Sequence, residues 1–302
     1  MKIIFKHSYL FLLMVFLGCN KQHPSSSSNN NSNSNSTFVF AKGADISWVT
    51  QMESSGYKFY DANGNQQDCF SLMKSLGMNS IRLRVWVNPS DGWCNTTDLV
   101  AKAVRAKNAG MRIMIDFHYS DVWADPGHQT VPALWAGQNI AALETSVYNH
   151  TQTVLNTLKA SGVTPTWVQV GNETNDGMLW ETGRASTNMT NFAGLINAGY
   201  NAVKAIDTTI KVIVHISNGY DNSLFRWVFD GLQTNRANWD IIGMSLYPST
   251  SNWSFYNLQC LTNINDMVSR YGKPVMICEV GMDVNSPTIC QSFLNDLISK
   301  VK

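Results

Sequence analysis

The order of the predicted elements is typical of a (β/α)8 barrel whose eighth βα unit is absent from this chain. From residue 39 onward, short apolar runs alternate seven times with longer amphipathic segments, which is the pattern of βα units around a parallel sheet. A junction from a helix through Gly and Met into a strand occurs at Gly77-Met78 and again at Gly110-Met111. A doubly wound open sheet is the alternative, but the segment GAD at residues 43–45 lacks the glycine pattern of a phosphate-binding turn.

Each element follows from its local sequence. Residues 81–86 alternate arginine with apolar side chains, as expected of a strand with two different faces. The second helix begins at a Thr97-Asp98 cap and ends at Gly110. We predict strands at residues 39–46, 80–87, 112–118, 167–173, 211–216, 239–246 and 274–280. We predict helices at residues 68–76, 97–110, 140–161, 191–206, 224–232, 257–271 and 286–301.

The N-terminal residues differ in composition from the rest of the chain. Lys2 and Lys6 precede an apolar run at residues 9–17 that is too short to span a bilayer and is typical of an export signal. Residues 16–19 resemble the bacterial lipoprotein box, in which Cys19 becomes the lipidated first residue. We therefore predict a signal peptide at residues 1–19, a Ser/Asn-rich tether at 20–37 and one folded domain at 38–302. The protein should be exported to the bacterial cell surface or outer membrane, with a lipid anchor as its only membrane contact.

The composition excludes several kinds of partner. With 22 basic and 21 acidic residues the net charge is +1, so no field attracts nucleic acid or acidic lipid. Ten Trp, ten Tyr and 13 Phe provide aromatic faces on which neutral sugars stack. Besides Cys19 there are five cysteines, without a CxxC spacing that would indicate a metal or redox site. Disulfides between Cys69 and Cys94, or between Cys260 and Cys290, are compatible with export, and we expect a monomer.

Polar residues stand at the ends of all seven predicted strands. The C-terminal ends of barrel strands open on one face, so these side chains should meet there. Any one of them alone has a structural explanation, such as a hydrogen-bonded core histidine. Together they favour an active site, because each costs desolvation energy unless it has partners. The residues are Asp45, Arg84, His118, Asn172, Glu173, His215, Tyr247 and Glu279.

Two of these residues are glutamates that end apolar runs in strands on opposite sides of the barrel mouth. Hydrolysis of a glycoside with retention needs two carboxyl groups about 5 to 5.5 Å apart. We predict that Glu173, with a raised pKa, is the acid/base, and that Glu279, held ionised by Arg84 and Tyr247, is the nucleophile. Asn172 would bind the sugar 2-hydroxyl. In the alternative interpretation both glutamates are surface ends of strands.

Several motifs resemble those of glycoside hydrolase family 53. The segments are GADIS at residues 43–47, IRLRVWVNP at 81–89, DFHYSD at 116–121, WADP at 123–126, VGNE at 170–173 and EVG at 279–281. The resemblance extends from residue 39 to the C-terminus. Members of that family are endo-β-1,4-galactanases on clan A barrels, which cut the galactan side chains of pectic type I arabinogalactan.

The resemblance implies a role for each candidate residue. It implies that Glu173 is the acid/base and Glu279 the nucleophile, and that no organic cofactor is needed. Some family members bind calcium near the last strands, and here Asp283 and Asn285 are the candidate ligands. The family's eighth strand carries an aromatic segment without a counterpart here, so we expect a fragment or a truncated gene product. Implied sugar contacts are Asp45, Arg84, His118, Asn172, His215 and Tyr247, with Trp86, Trp123 and Trp135 as walls of the cleft.

Two other functions are open from the sequence alone. One is another clan A endoglycanase, such as a mannanase or a glucanase. The other is a surface lipoprotein that binds glycan but has lost catalysis.

Overall fold

A single curved sheet with helices packed against it makes up the fold. The computed structural model describes residues 40–302 and the backbone of residues 15–17. Apart from that short backbone stretch, the predicted signal peptide and tether, with Cys19, lie outside the described residues. Within the described part of the chain, no helix is both long and apolar enough to cross a membrane.

The elements follow one another in seven successive βα units. A short strand, β1 (Val15–Leu17), pairs antiparallel with the last strand, and β3 (Phe59–Tyr60) pairs with β4 (Gln66–Gln67) in a small hairpin. The parallel strands are β2 (Gly43–Asp45), β5 (Ser80–Val85), β6 (Arg112–Phe117), β7 (Trp167–Val170), β8 (Lys211–Ile216), β9 (Ile241–Leu246) and β10 (Val275–Val280). The helices are α1 (Val49–Ser54), α2 (Cys69–Ser75), α3 (Thr96–Asn108), α4 (Ile140–Ala160), α5 (Met189–Ile206), α6 (Asn222–Thr234), α7 (Trp253–Tyr271) and α8 (Pro287–Val301).

The strand order decides between the two predicted architectures. The parallel strands lie side by side in the order β10-β9-β8-β7-β6-β5-β2, so each is adjacent to the next one along the chain. A doubly wound sheet would reverse its order at a switch point. The sheet is therefore wound in one direction, as in a (β/α)8 barrel, and its seven parallel strands confirm the predicted fold.

The interior side chains also show that the sheet curves. One large apolar cluster fills the space between sheet and helices. A second, separate cluster combines residues from or next to six of the strands, which can touch only if the strands surround a common centre. Its members are Ala41, Met114, Trp167, Ile213, Ile241, Met276 and Cys278. This cluster is the apolar floor of the barrel interior.

Three details differ from the predicted elements. The helix α1 and the β3–β4 hairpin were not predicted, because segments this short carry too few residues to show a period. The N-cap of α3 is Asn95, whose side chain accepts a hydrogen bond from the backbone N–H of Asp98, rather than the predicted Thr97-Asp98 pair. Both Asn and Asp cap helices well, so the sequence around residue 96 did not distinguish them.

The suggested disulfides are not formed. Cys69, Cys94 and Cys260 are buried with free thiols, and Cys290 in α8 is half-buried and free. Both suggested pairings, Cys69 with Cys94 and Cys260 with Cys290, are therefore wrong. Buried free cysteines pack as small apolar residues.

A buried lysine fastens the loop after β2 to helix α3. Lys102 is fully buried, and its Nζ donates to the backbone carbonyl of Ser47 at 2.7 Å and to Asp98 Oδ2 at 2.6 Å. The Ser47 hydroxyl in turn accepts from the backbone N–H of Arg84 at 2.8 Å. A buried cation without such partners would be strongly unfavourable. Lys102 therefore supports the loop that leads from the first barrel strand.

We expect Lys102→Met to lower the free energy of unfolding by about 3 kcal/mol, because it leaves the Asp98 carboxylate without its counter-ion and the Ser47 carbonyl without its shortest hydrogen bond. Urea unfolding followed by fluorescence measures the change. The matched control is Lys107→Met on the exposed side of the same helix, which should change stability by less than about 0.5 kcal/mol. Equal urea midpoints for the two variants would contradict a supporting role for Lys102.

Candidate active site

A layer of polar side chains lies above the apolar floor of the barrel. Side chains along a strand alternate between its two faces, so residues an even number of positions beyond the floor residues also point inward. These include Asp116 two positions after Met114, and Gln169 two positions after Trp167. All members are buried. The layer comprises Asp45, Arg82, Asp116, Gln169, His215, Ser245 and Glu279.

Arg82 is the centre of this layer. Its Nη1 lies 2.9 Å from Asp45 Oδ2, and its Nη2 lies 2.8 Å from Asp116 Oδ2 and 2.9 Å from Glu279 Oε1. Burial opposes ionisation of Asp45 and Asp116, but the Arg82 guanidinium, together with Arg84 and Ser47 at Asp45 and with His118 and His215 at Asp116, outweighs it and lowers the pKa of both carboxyl groups. Since Asp45 and Glu279 belong to the first and last barrel strands, Arg82 connects the two ends of the parallel sheet.

Glu279 points inward because of an irregularity in β10. The pairing of β10 with β9 shifts register between Ile277 and Glu279. Cys278 belongs to the barrel floor, so a regular strand would turn the next side chain outward. The Glu279 carboxylate receives an ion pair from Arg82 on Oε1 and a hydrogen bond from the Tyr247 hydroxyl on Oε2 at 2.7 Å. Burial raises the pKa of Glu279, while Arg82 and Tyr247 act in the opposite direction.

Glu173 is held in a tight turn after β7. Its φ is 45°, in the left-handed region that side chains other than glycine rarely adopt. The backbone N–H of Glu173 points at His215 Nδ1 at 3.4 Å, and the N–H of Thr174 donates to the His215 carbonyl at 2.9 Å. The turn thus fixes Glu173 against the neighbouring strand β8.

The two glutamates form one electrostatic unit. Burial and the negative charge of Glu279 raise the pKa of Glu173 to about 8. Glu279 is paired with the Arg82 guanidinium and the Tyr247 hydroxyl, which favour its ionised form. The two carboxyl groups therefore influence each other, and their surroundings favour the proton on Glu173 rather than on Glu279.

Asn172 is fixed between the two glutamates. Its Oδ1 accepts from Arg82 Nη2 at 2.9 Å and from Gln169 Nε2 at 3.0 Å, and its Nδ2 donates to the Ala124 carbonyl at 2.8 Å. Arg82 Nη2 thus contacts both Asn172 and Glu279. The amide adjoining Glu173 is therefore positioned by the same guanidinium that holds Glu279.

Arg84 does not have the predicted role of holding Glu279, which belongs to Arg82. The guanidinium carbon of Arg84 lies 4.5, 4.6 and 4.1 Å from the ring centroids of Trp48, Trp86 and Trp123. Arg84 and Arg82 point to the same side of one strand. The three indole rings enclose the Arg84 guanidinium, and cation–π contacts stabilise its charge. Arg84 is thus a buried support for aromatic side chains, and its predicted sugar contact stays a prediction.

Three other predicted sugar contacts are also occupied within the protein. His118 Nε2 lies 2.9 Å from Asp116, and its Nδ1 accepts from Trp86 Nε1 and from the backbone N–H of Ala124. His215 is completely buried, with both ring nitrogens bonded. Asp45 accepts from Arg82 and from the Ser47 backbone. These side chains orient their neighbours, and the sugar contacts predicted for them stay predictions.

The aromatic wall of the cleft consists of fewer residues than predicted. Trp123 is 39 % exposed and Tyr247 is 37 % exposed, so both can contact a ligand. Trp86 is buried against Trp123 and His118. Trp135 is buried as well and packs on Tyr119 and His150, so it belongs to the core and not to the cleft.

The predicted calcium ligands form a local turn. Asp283 Oδ1 accepts from both the backbone N–H and the side-chain amide of Asn285 at 2.9 Å. In residues 40–302, no group of three or more His, Cys, Asp or Glu side chains is arranged to hold a metal ion.

Four residues of the polar layer were not named as site residues from the sequence: Arg82, Asp116, Gln169 and Ser245. A usable signal was present for three of them. Arg82 and Asp116 stand two positions before Arg84 and His118, and Ser245 stands two positions before Tyr247, so alternation places each pair on one face. The predicted site residues are the last polar residues of the strands, whereas the polar layer also includes inward-facing residues that lie deeper in the barrel.

The sequence and the structure were compared with known proteins. The model of glycosyl hydrolase family 53 matches residues 41–292. An arabinogalactan endo-beta-1,4-galactanase of Thermothelomyces thermophilus is 35 % identical over 263 residues, covering 85 % of this chain and 78 % of the relative. An endo-beta-1,4-galactanase of Bacillus subtilis is 37 % identical over 251 residues, covering 80 % of this chain and 56 % of the relative.

A structural comparison agrees. A chain from a study of two fungal beta-1,4-galactanases superposes with a TM-score of 0.79 at 32 % identity, covering 85 % of this chain and 84 % of that one. The family model covers most of the barrel, including Glu173 and Glu279. This protein belongs to glycosyl hydrolase family 53.

Proposed function

We propose that this protein is an endo-acting glycosidase that hydrolyses β-1,4-galactan, the side chain of type I arabinogalactan, with retention of configuration. The observation that carries the proposal is the contrast between the two glutamates: Glu279 is ion-paired to Arg82 and hydrogen-bonded to Tyr247, whereas burial and the charge of Glu279 raise the pKa of Glu173 to about 8. Related chains that bear the name of endo-β-1,4-galactanase support the choice of galactan over mannan or glucan.

In the first step Glu279 is the nucleophile. One of its carboxylate oxygens forms a bond to the anomeric carbon while the bond from that carbon to the leaving oxygen breaks. Glu173 donates its proton to this oxygen, so the shortened galactan leaves as a neutral alcohol. The products are a glycosyl ester on Glu279 and an ionised Glu173.

In the second step Glu173 acts as the base and water as the attacking nucleophile. The Glu173 carboxylate takes a proton from a water molecule, whose oxygen bonds to the anomeric carbon as the ester bond to Glu279 breaks. Glu279 recovers its negative charge and Glu173 its proton, so the two groups return to their starting states. The reaction consumes water and restores both carboxyl groups, and no cofactor enters.

The surrounding residues position the substrate and the nucleophile. Arg82 and Tyr247 hold the two oxygens of Glu279, which limits the rotation of the carboxylate. Asn172 lies beside Glu173 and offers its amide to the sugar 2-hydroxyl, a contact that strengthens as the oxocarbenium character develops. The exposed face of Trp123 offers a stacking surface for a galactose ring, whose axial hydroxyl leaves one face apolar.

The proposal extends to the cellular location. An export signal with a lipidated Cys19 would hold a monomeric enzyme at the bacterial surface by a single lipid-modified residue, while the tether lets the barrel reach polymeric galactan. This part rests on the sequence of residues 1–37.

We expect Glu279→Ala to lower kcat on galactan by several orders of magnitude, because no other group can form the glycosyl ester. Added azide distinguishes the two glutamates on an aryl β-galactobioside. Azide should yield the α-glycosyl azide with Glu279→Ala and the β-glycosyl azide with Glu173→Ala, as determined by NMR. Exposed Glu181 provides the control, Glu181→Ala, which should keep full activity. Unchanged galactan binding together with unchanged function in Glu279→Ala would indicate a binding protein. Cleavage of mannan or glucan by the unmodified protein that is faster than its cleavage of galactan would indicate another substrate.

We expect kcat/KM on galactan to fall as the pH rises through about 8. The pKa of Glu173 is raised to about 8, and the reaction needs its protonated form, so activity is retained below that pH and lost above it. A pH profile between 5 and 10 measures this limb. In Glu173→Gln, assayed on an aryl substrate whose leaving group needs no proton, the limb should be absent, and its persistence would assign it to another group.

We expect Cys19→Ser to move the protein from the membrane fraction to the soluble exported fraction and to abolish labelling by radioactive palmitate. The control is Cys290→Ser, because Cys290 lies in the folded domain on α8. Membrane attachment that survives in Cys19→Ser would refute lipidation at this residue.

A further inference from the structure

Three aromatic side chains lie together at the rim of the barrel mouth. The rings of Tyr220 and Tyr256 are stacked, with their centroids 3.9 Å apart and an angle of 15° between their planes. Phe255 extends this stack, since its ring centroid lies 6.1 Å from that of Tyr256. Both tyrosines are half-buried, and Phe255 is 57 % exposed. We call these three side chains the rim platform.

The rim platform lies on the face of the barrel that carries the candidate active site. Tyr220 follows the C-terminal end of β8, and Phe255 and Tyr256 stand in the first turn of α7, which the chain enters from the C-terminal end of β9. The C-terminal ends of barrel strands open on the face of the active site. In the sheet, β8 and β9 lie between β7, which precedes Glu173, and β10, which carries Glu279. The platform thus occupies the part of the rim between the strands of the two glutamates.

A backbone hydrogen bond joins the platform to the cleft. The N–H of Gly219, next to Tyr220, donates to the carbonyl of Ser245 at 2.8 Å. Two residues after Ser245 comes Tyr247, which is 37 % exposed and donates to Glu279. Tyr220 and Tyr247 therefore leave the sheet side by side, and the exposed aromatic surface at Tyr247 is continuous with the rim platform.

Buried amides hold both parts of the platform in place. Asn263 is completely buried, and its Nδ2 donates to the Gly219 carbonyl at 2.8 Å. Asn257, the neighbour of Tyr256, is also completely buried, and its Nδ2 donates to Asp296 Oδ2 at 2.8 Å. The rings are therefore ordered before a ligand binds, which lowers the entropic cost of binding.

The segments that form the platform carry no charge. Residues 216–220 and 247–265 contain no acidic side chain, no basic side chain and no histidine. Asp221, the charged residue next to Tyr220, accepts from the backbone N–H of Leu224 and caps α6. Serine and asparagine stand between the aromatic residues instead, at Ser249, Ser251 and Asn252. Aromatic faces beside uncharged hydrogen-bonding groups suit a neutral sugar better than a charged partner.

We propose that the rim platform is an accessory binding site for the galactan chain, which holds sugar units beyond those at the two glutamates. The proposal rests on the proposed function, because it takes galactan as the substrate. The apolar face of a galactose ring stacks on the exposed aromatic surface of Phe255 and Tyr220. One polymer chain that occupies both the cleft and the platform makes the second contact within the same complex, so the platform raises affinity for long chains and not for short ones.

The test measures dissociation constants in Glu279→Ala, so that the ligand is not consumed, with polymeric β-1,4-galactan in affinity electrophoresis and β-1,4-galactobiose in calorimetry. Adding Tyr220→Ala should raise the Kd for the polymer about ten-fold and change the Kd for the disaccharide by less than about two-fold. Tyr220→Phe, which keeps the ring, should bind like its parent. The matched control is Tyr60→Ala, because Tyr60 is 55 % exposed on the β3–β4 hairpin, and it should change neither constant.

A second variant keeps the test independent of folding. Phe255→Ala removes the most exposed ring of the platform and should raise the Kd for the polymer about three-fold. Circular dichroism shows whether each variant is folded, and Phe255→Ala decides the question if Tyr220→Ala is not.

Three results would overturn the platform. The first is an unchanged Kd for the polymer in the folded variants. The second is an equal loss of affinity for the polymer and the disaccharide, because Tyr220 would then act at the reaction centre. The third is a dimer that Phe255→Ala dissociates while galactan binding is unchanged, which would identify this face as an interface between two copies of the chain. Failure of the proposed function is seen separately, as absence of galactan cleavage by the unmodified protein.

Discussion

The ion pairs of Arg82 are the interaction on which the site depends. One guanidinium group serves Asp45 on the first barrel strand, Asp116 on the third and Glu279 on the last. A buried cation of this kind is stable only because its partners are arranged around it, and the carboxylates in turn need the cation. Since the partners come from both ends of the parallel sheet, the same contacts hold the ends of the sheet together and place Glu279, the proposed nucleophile.

Two chemically identical side chains acquire different functions from their surroundings. Glu279 has a cation and a phenol as donors, whereas Glu173 is buried beside the negative charge of Glu279. The pKa of Glu173 is therefore raised to about 8, which suits an acid. The folded protein holds this proton more tightly than the unfolded chain. Protonated Glu173 therefore favours the folded state below the ordinary pKa of glutamate, and this contribution to stability is lost as the pH rises through about 8.

Recognition and positioning are divided between exposed and buried residues. Asp45, His118 and His215 are buried with hydrogen-bonded polar groups, and Arg84 is buried among indole rings; these side chains fix Trp86, Asn172 and the two glutamates. The surface available to a sugar is smaller than the set of predicted contacts. It centres on the exposed side chains of Trp123 and Tyr247. The exposed aromatic side chains can thus determine which sugar stacks there, while the buried network keeps the reacting carboxyl groups in place.

The sequence by itself determined the barrel, its seven units and the two strand-end glutamates of the proposed mechanism, because apolar runs that end on a carboxylate are visible without coordinates. It could not distinguish Arg82 from Arg84, since both alternate on the same face of one strand and differ only in the side chains that other strands bring to them. It also could not show the register shift that turns Glu279 inward, or the partners of Ser245. Such contacts join residues far apart in the chain, so only the tertiary structure decided them.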